Sequence, residues 1–108
     1  MHDLREPPVA PVLRLVGDLV GSGGAGIRSA LATMAGEPDL ILDLADMGFV
    51  DAASLGAVAS GIRAVQRGGG RVVIVSPRPS VTRALTAAGL AGIAPVTESV
   101  AEARLLMN

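Results

Sequence analysis

Cysteine is absent from the 108 residues, and so are tryptophan, tyrosine and lysine. Without thiols there is no disulfide framework and no thiolate metal site. Histidine occurs once, as His2, at a chain end expected to fray, which argues against a histidine-based metal site or catalytic triad. Phe49 is the only aromatic residue. The core must therefore be filled with Val, Leu, Ile, Ala and Met, small side chains that suit close packing of helices on a sheet. All nine basic residues are arginines, scattered along the chain against ten acids. With no aromatic stacking partners, that distribution argues against a nucleic-acid surface. No apolar run reaches the length of a membrane span and no signal sequence opens the chain, so the expectation is a soluble cytoplasmic protein with no membrane insertion.

What is present is alternation. Residues 1–11 are polar, then broken by Pro7, Pro8 and Pro11, and can form only an edge strand or an extended lead-in. Val12 to Val16 reads as a strand, closed by Gly17-Asp18-Leu19. Gly21 to Gly26 is expected to be the most flexible segment. A helix is expected over Ala25 to Met34, ended by Gly36 and Pro38. Leu40 to Leu44 is an apolar run with one acid, Asp43, and reads as a strand buried on both faces. Asp46 and Gly48 mark a turn, and Phe49-Val50 returns to apolar character. The following helix carries Leu55, Val58, Ala59, Ile62 and Val65 on one stripe and stops at Gly68-Gly69-Gly70. Arg71 to Ser76 is the strongest strand pattern. Ser80 is the expected cap of a third helix ending at Gly89. Ile93 to Val96 can form a short strand, and Ser99 to Glu102 is a capping box opening a last helix. Strands alternating with helices predict a sheet with parallel members joined by crossover helices.

The chemistry-bearing stretch is Asp51-Ala52-Ala53-Ser54-Leu55-Gly56. Asp51 stands where an N-cap belongs, its carboxylate in reach of the N–H of Ala53 or Ser54. Ala52 and Ala53 have almost no side chain, so the helix should begin with exposed donors and little steric cover. As acid–base groups, Asp43 and Asp51 have no His, Lys or Tyr to complete a site. Gly21, Gly23 and Gly26 satisfy Gly-x-Gly-x-x-Gly, but Gly17 to Val20 separate them from the strand, where a dinucleotide site needs a tight turn. Gly56 within a helix costs about 1 kcal/mol against alanine, so close packing on the sheet or on a partner should compensate. Met34, Met47 and Met107 read as core or terminal fillers, Met47 being the one placed for exposure.

This stretch resembles the signature of the STAS domain family, the anti-sigma factor antagonists and their relatives. In that pattern a strand ends in Asp-Leu, and a turn and an apolar pair precede Asp-Ser-Ser-Gly-Leu-Gly at a helix start. Here Asp43-Leu44, Phe49-Val50, Asp51, Leu55 and Gly56 match. Ala53 takes the place of the usual phosphoacceptor serine, and Ser54 the place of a glycine. Gly17-Asp18-Leu19 resembles the Gly-Glu-Leu-Asp turn of the family, with Val20 replacing the second acid. The resemblance covers residues 9–107. It implies one α/β domain over residues 1–108, with a four- to five-stranded mixed β-sheet and about four α-helices.

By the same resemblance the chain is a non-enzymatic regulator without cofactor, a monomer or weak homodimer. It would bind an anti-sigma factor of the serine-kinase class or, alternatively, as an accessory subunit, the ATPase of a transport system or a signalling scaffold. The implied contact surface is Met47, Gly48, Asp51, Ala52, Ala53, Ser54, Leu55 and Gly56, with the Gly21 to Gly26 loop. Ser54 is the candidate for phosphorylation, but it sits about 100° around the helix from the usual position. Switching by phosphate at that position is therefore not expected.

Overall fold

The computed structural model describes residues 10–19, 23–33 and 39–107. Its centre is β3 (Asp39–Asp43), in which Leu40 to Asp43 are all buried. Burial on both faces explains why this strand shows no polar alternation. It lies between β1 (Val12–Arg14) and β5 (Arg71–Val75), and β6 (Val96–Thr97) completes a four-stranded sheet in the order β1-β3-β5-β6. Every pairing among the described residues is parallel, with Ile41 opposite both Val12 and Val73. Four strands is the lower end of the expected range. The lead-in before residue 10 lies outside the described residues.

The two faces of the sheet are covered unequally. Leu40, Leu42, Val72 and Ile74 face the larger cluster, where they meet Leu31 of α1 (Gly23–Thr33). They also meet Leu55, Val58, Ile62 and Val65 of α2 (Ala52–Arg67), and Val81 and Leu85 of α3 (Pro79–Ala87). A 3-10 turn, Leu90–Gly92, adds Leu90. On the opposite face Ile41, Val73 and Val75 pack against Ala103 of α4 (Val100–Met107). The crossover helices thus lie on one side and the last helix on the other.

Gly61 of α2 faces Leu31, and an added Cβ would stand 2.6 Å from the Leu31 Cβ. Glycine is what lets α1 and α2 approach. The Gly68-Gly70 stop acts as expected: Gly69 takes φ +90, and the N–H of Gly70 donates to the Val65 carbonyl at 3.0 Å.

The buried acid of β3 has partners. Asp43 accepts from the N–H of Ala45 at 2.9 Å, and its other oxygen lies 3.4 Å from Nε of Arg14. At the other end of the strand, Arg71 forks onto Asp39, with Nε to Oδ1 at 2.8 Å and Nη2 to Oδ2 at 2.9 Å. Nη2 also donates to the Met107 carbonyl at 2.8 Å, tying the end of α4 to the sheet. The side-chain hydrogen bonds from Arg71 to Asp39, with the guanidinium charge, hold the Asp39 carboxyl below its usual value.

Three expectations about element ends need correction. α1 begins at Gly23, so Gly23 to Gly26 are helical rather than loop; Gly21, Met34, Gly36 and Pro38 lie outside the described residues. α3 is capped at Arg78, with Pro79 in its first turn and no side-chain cap bond, not at Ser80. The fixed φ of proline and its missing N–H suit that position, which moves the start upstream of the serine. Gly17-Asp18-Leu19 is not a turn but a second strand, β2 (Gly17–Leu19), paired in parallel with β4 (Met47–Val50). In α4 the expected cap forms, the Ser99 hydroxyl accepting from the N–H of Glu102 at 3.1 Å.

Candidate functional site

The β2–β4 ribbon leads directly into α2. Asp51 caps the helix in extended conformation, and its Oδ1 accepts from the N–H of Ser54 at 2.8 Å. Ala52, Ala53 and Gly56 are exposed, as the first-turn reading requires. The outward row continues through Ser60, Arg63 and Arg67. This face is therefore bare over its first turns and cationic at its end. Among the described residues an added Cβ on Gly56 would meet nothing within 4 Å, so packing among them does not account for this glycine.

Other members of the stretch point inward. Leu55 is 6% exposed and joins the core. Met47, expected to have a chance of exposure, is 1% exposed and packs with Leu44 and Val58 in the same cluster. Ser54 is fully buried, and its hydroxyl finds no hydrogen-bond partner among the described residues. The side chains of Met47, Ser54 and Leu55 are thus withdrawn from any docking contact. A buried Ser54 hydroxyl is also out of reach of a kinase unless the helix start opens.

The sequence reading did not anticipate the exposure of Phe49. It is 68% exposed, although it is the only aromatic residue of the chain. The ribbon register explains this. Gly17 pairs with Met47, but Leu19 pairs with Val50, so β4 places Gly48 and Phe49 opposite the single residue Asp18. Regular alternation from buried Met47 would turn residue 49 inward. One extra residue breaks the alternation and turns Phe49 out, while Val50 still packs on the core. Asp18 fixes the bulge: its Oδ1 accepts from the N–H of Phe49 at 2.8 Å. The same carboxylate occupies the space beside Gly48 where a side chain would begin. A side chain at residue 48 would displace the Asp18 carboxylate from this bond. The signal available in the sequence was Gly48 next to the sole aromatic residue, with an acid in the preceding short strand.

At the carboxyl end of β5 and β6 a cavity of about 390 Å³ is bounded by Ser76, Thr82, Arg83 and Glu98 among others. The hydroxyls around it are satisfied within the fold: Ser76 pairs with Thr82 at 3.0 Å, and Thr97 donates to the Ile74 carbonyl at 3.1 Å. Among the described residues no group of three or more His, Cys, Asp or Glu could hold a metal ion. No helix among them is long and apolar enough to cross a membrane.

The sequence profile of the STAS domain matches residues 2–103. The chain belongs to the STAS domain family. No curated protein sequence matches this STAS chain. Its fold is that of several solved structures. An anti-sigma factor antagonist from Mycobacterium paratuberculosis is similar with a TM-score of 0.77 at 19% identity, covering 91% of this chain and 86% of that one. The STAS domain of a SulP transporter from Vibrio cholerae gives 0.74 at 22% identity, covering 95% and 86%. The anti-sigma factor antagonist SpoIIAA in its unphosphorylated form gives 0.68 at 19% identity, covering 97% and 94%.

Proposed function

We propose that this STAS chain is an anti-sigma factor antagonist-like regulator that binds an anti-sigma factor of the serine-kinase class through the start of α2. The observation that carries the reading is the first turn itself. Asp51 holds the helix start, Ala52 and Ala53 leave it bare, and Gly56 is kept small where the fold does not require it. A partner can approach such a backbone closely and meet its positive end. Binding here needs no catalytic step, and the reading assigns the chain none.

In the resembling family a phosphate on the residue corresponding to Ala53 blocks binding by adding charge and bulk that must be desolvated. Ala53 cannot carry that group, and the neighbouring Ser54 is buried. The chain is then a constitutive antagonist, or a docking subunit not switched at this position. The alternative partner, the ATPase of a transport system, would use the same face and equally needs no phosphoacceptor at residue 53.

Incubation with the cognate kinase and ATP, followed by intact mass, tests the unswitched state: the expected result is an unchanged mass. Affinity capture with the unmodified chain and with Ala53→Asp tests the face. The charge should weaken capture, and capture that is indifferent to it would remove the helix start from the interface. Whether the captured protein is an anti-sigma kinase or a transporter ATPase separates the two partners.

A further inference from the structure

We infer that the bulge of the β2–β4 ribbon exists to display Phe49 as the anchor of the docking surface, and that the partner offers an apolar socket with a basic rim. This rests on the reading of the chain as a docking module and names the residue that would decide its specificity. A chain with one aromatic side chain, and a core otherwise filled by aliphatic ones, leaves that side chain in water. The exposure is built rather than incidental. It takes an extra residue in β4, a glycine at 48, and a carboxylate 31 positions away to satisfy the N–H that the bulge leaves outside the ladder. Bulges of this kind re-aim side chains next to functional sites. A fixed backbone also means that little of the order needed on binding must be created at that moment.

Aromatic side chains dominate interface energetics because they remove much apolar area from water with few rotatable bonds. Val16, 70% exposed and immediately before β2, adds a second apolar group at the start of the ribbon. The charge around the ribbon selects among partners. Asp18 lies in it, and Asp43 and Asp46 share Arg14 at 3.4 and 3.6 Å. Asp51 aside, that is three carboxylates against one guanidinium at the ribbon among the described residues. A socket rimmed by arginine or lysine complements this surface, and an acidic one is repelled.

The test places the photo-cross-linking residue p-benzoylphenylalanine at position 49, at position 53 or at position 105 of the full chain, the last being an exposed leucine on α4. After irradiation in the native cell, the adduct is identified and that protein is purified for titration. The expected result is the same partner at positions 49 and 53 and none at 105. Phe49→Ala should weaken its binding roughly 30-fold or more without lowering Tm, while Leu105→Ala leaves it unchanged. Asp18→Ala should weaken it less, and Asp18→Asn, which keeps an acceptor for the Phe49 N–H but not the charge, should restore part of that loss. Binding should weaken as salt is raised toward about 0.5 M. Adducts at 53 but not at 49, or a Phe49→Ala loss below about threefold, would overturn the anchor and leave the docking helix standing. Adducts at neither position would remove both. Binding that strengthens with salt would overturn the basic rim.

Discussion

Gly56 and Gly61 lie on the same helix and cost it the same propensity, yet they answer to different demands. At Gly61 a side chain would collide with Leu31, so glycine there is a condition of packing α1 on α2. At Gly56 a side chain would stand in open space. The helix thus carries one glycine that the fold requires and one that it does not. Reading both as helix defects would hide that the second is free to serve contacts outside the chain.

Substitution at these positions can break the comparison. Gly61→Ala should have the largest effect, a destabilisation of about 1–3 kcal/mol from overpacking against Leu31, read as a lower urea midpoint. Gly56→Ala should act in the opposite direction, raising stability by up to about 1 kcal/mol through helix propensity while weakening partner capture. If both destabilise alike, the distinction between fold and surface is wrong. Ser54→Ala sharpens the picture on the inward side of the same helix start. Deleting a buried hydroxyl without a partner should leave stability unchanged or raise it by about 1 kcal/mol, measured by thermal denaturation. The smallest effect is expected far from this helix, at Asp39. Its lowered pKa means that the pair with Arg71 stabilises the fold above the ordinary carboxyl value of 3.8 and loses that contribution as pH falls below it. The stability difference between the unmodified chain and Asp39→Asn should therefore be level at neutral pH and shrink under acid. It should be slight throughout, because the guanidinium is exposed.

Much of this arrangement was legible from local signals. The Asp51 cap, the stripe Leu55-Val58-Ile62-Val65, the glycine stop after Arg67 and the strand expected over Arg71 to Ser76 each rest on residues adjacent in the chain, and the structure places them as read, the strand ending one residue earlier at Val75. The ribbon was not legible, because its pairing joins residues far apart in sequence. A three-residue strand such as Gly17–Leu19 carries no period of its own and looks like a turn until Phe49 is found hydrogen-bonded to Asp18. The bulge sets the exposure of Phe49, since one inserted residue exchanges inside for outside beyond Met47, which is itself buried where exposure was expected. The cap of α3 was misplaced for a smaller reason: Pro79 begins a helix more readily than it breaks one.

The bulge has an evolutionary corollary. Because residue 49 hangs from a backbone that Gly48 and Asp18 hold in place, its identity can drift without disturbing the sheet beneath it. Related chains could retarget themselves by exchanging one surface side chain, keeping the scaffold while the address it displays is rewritten.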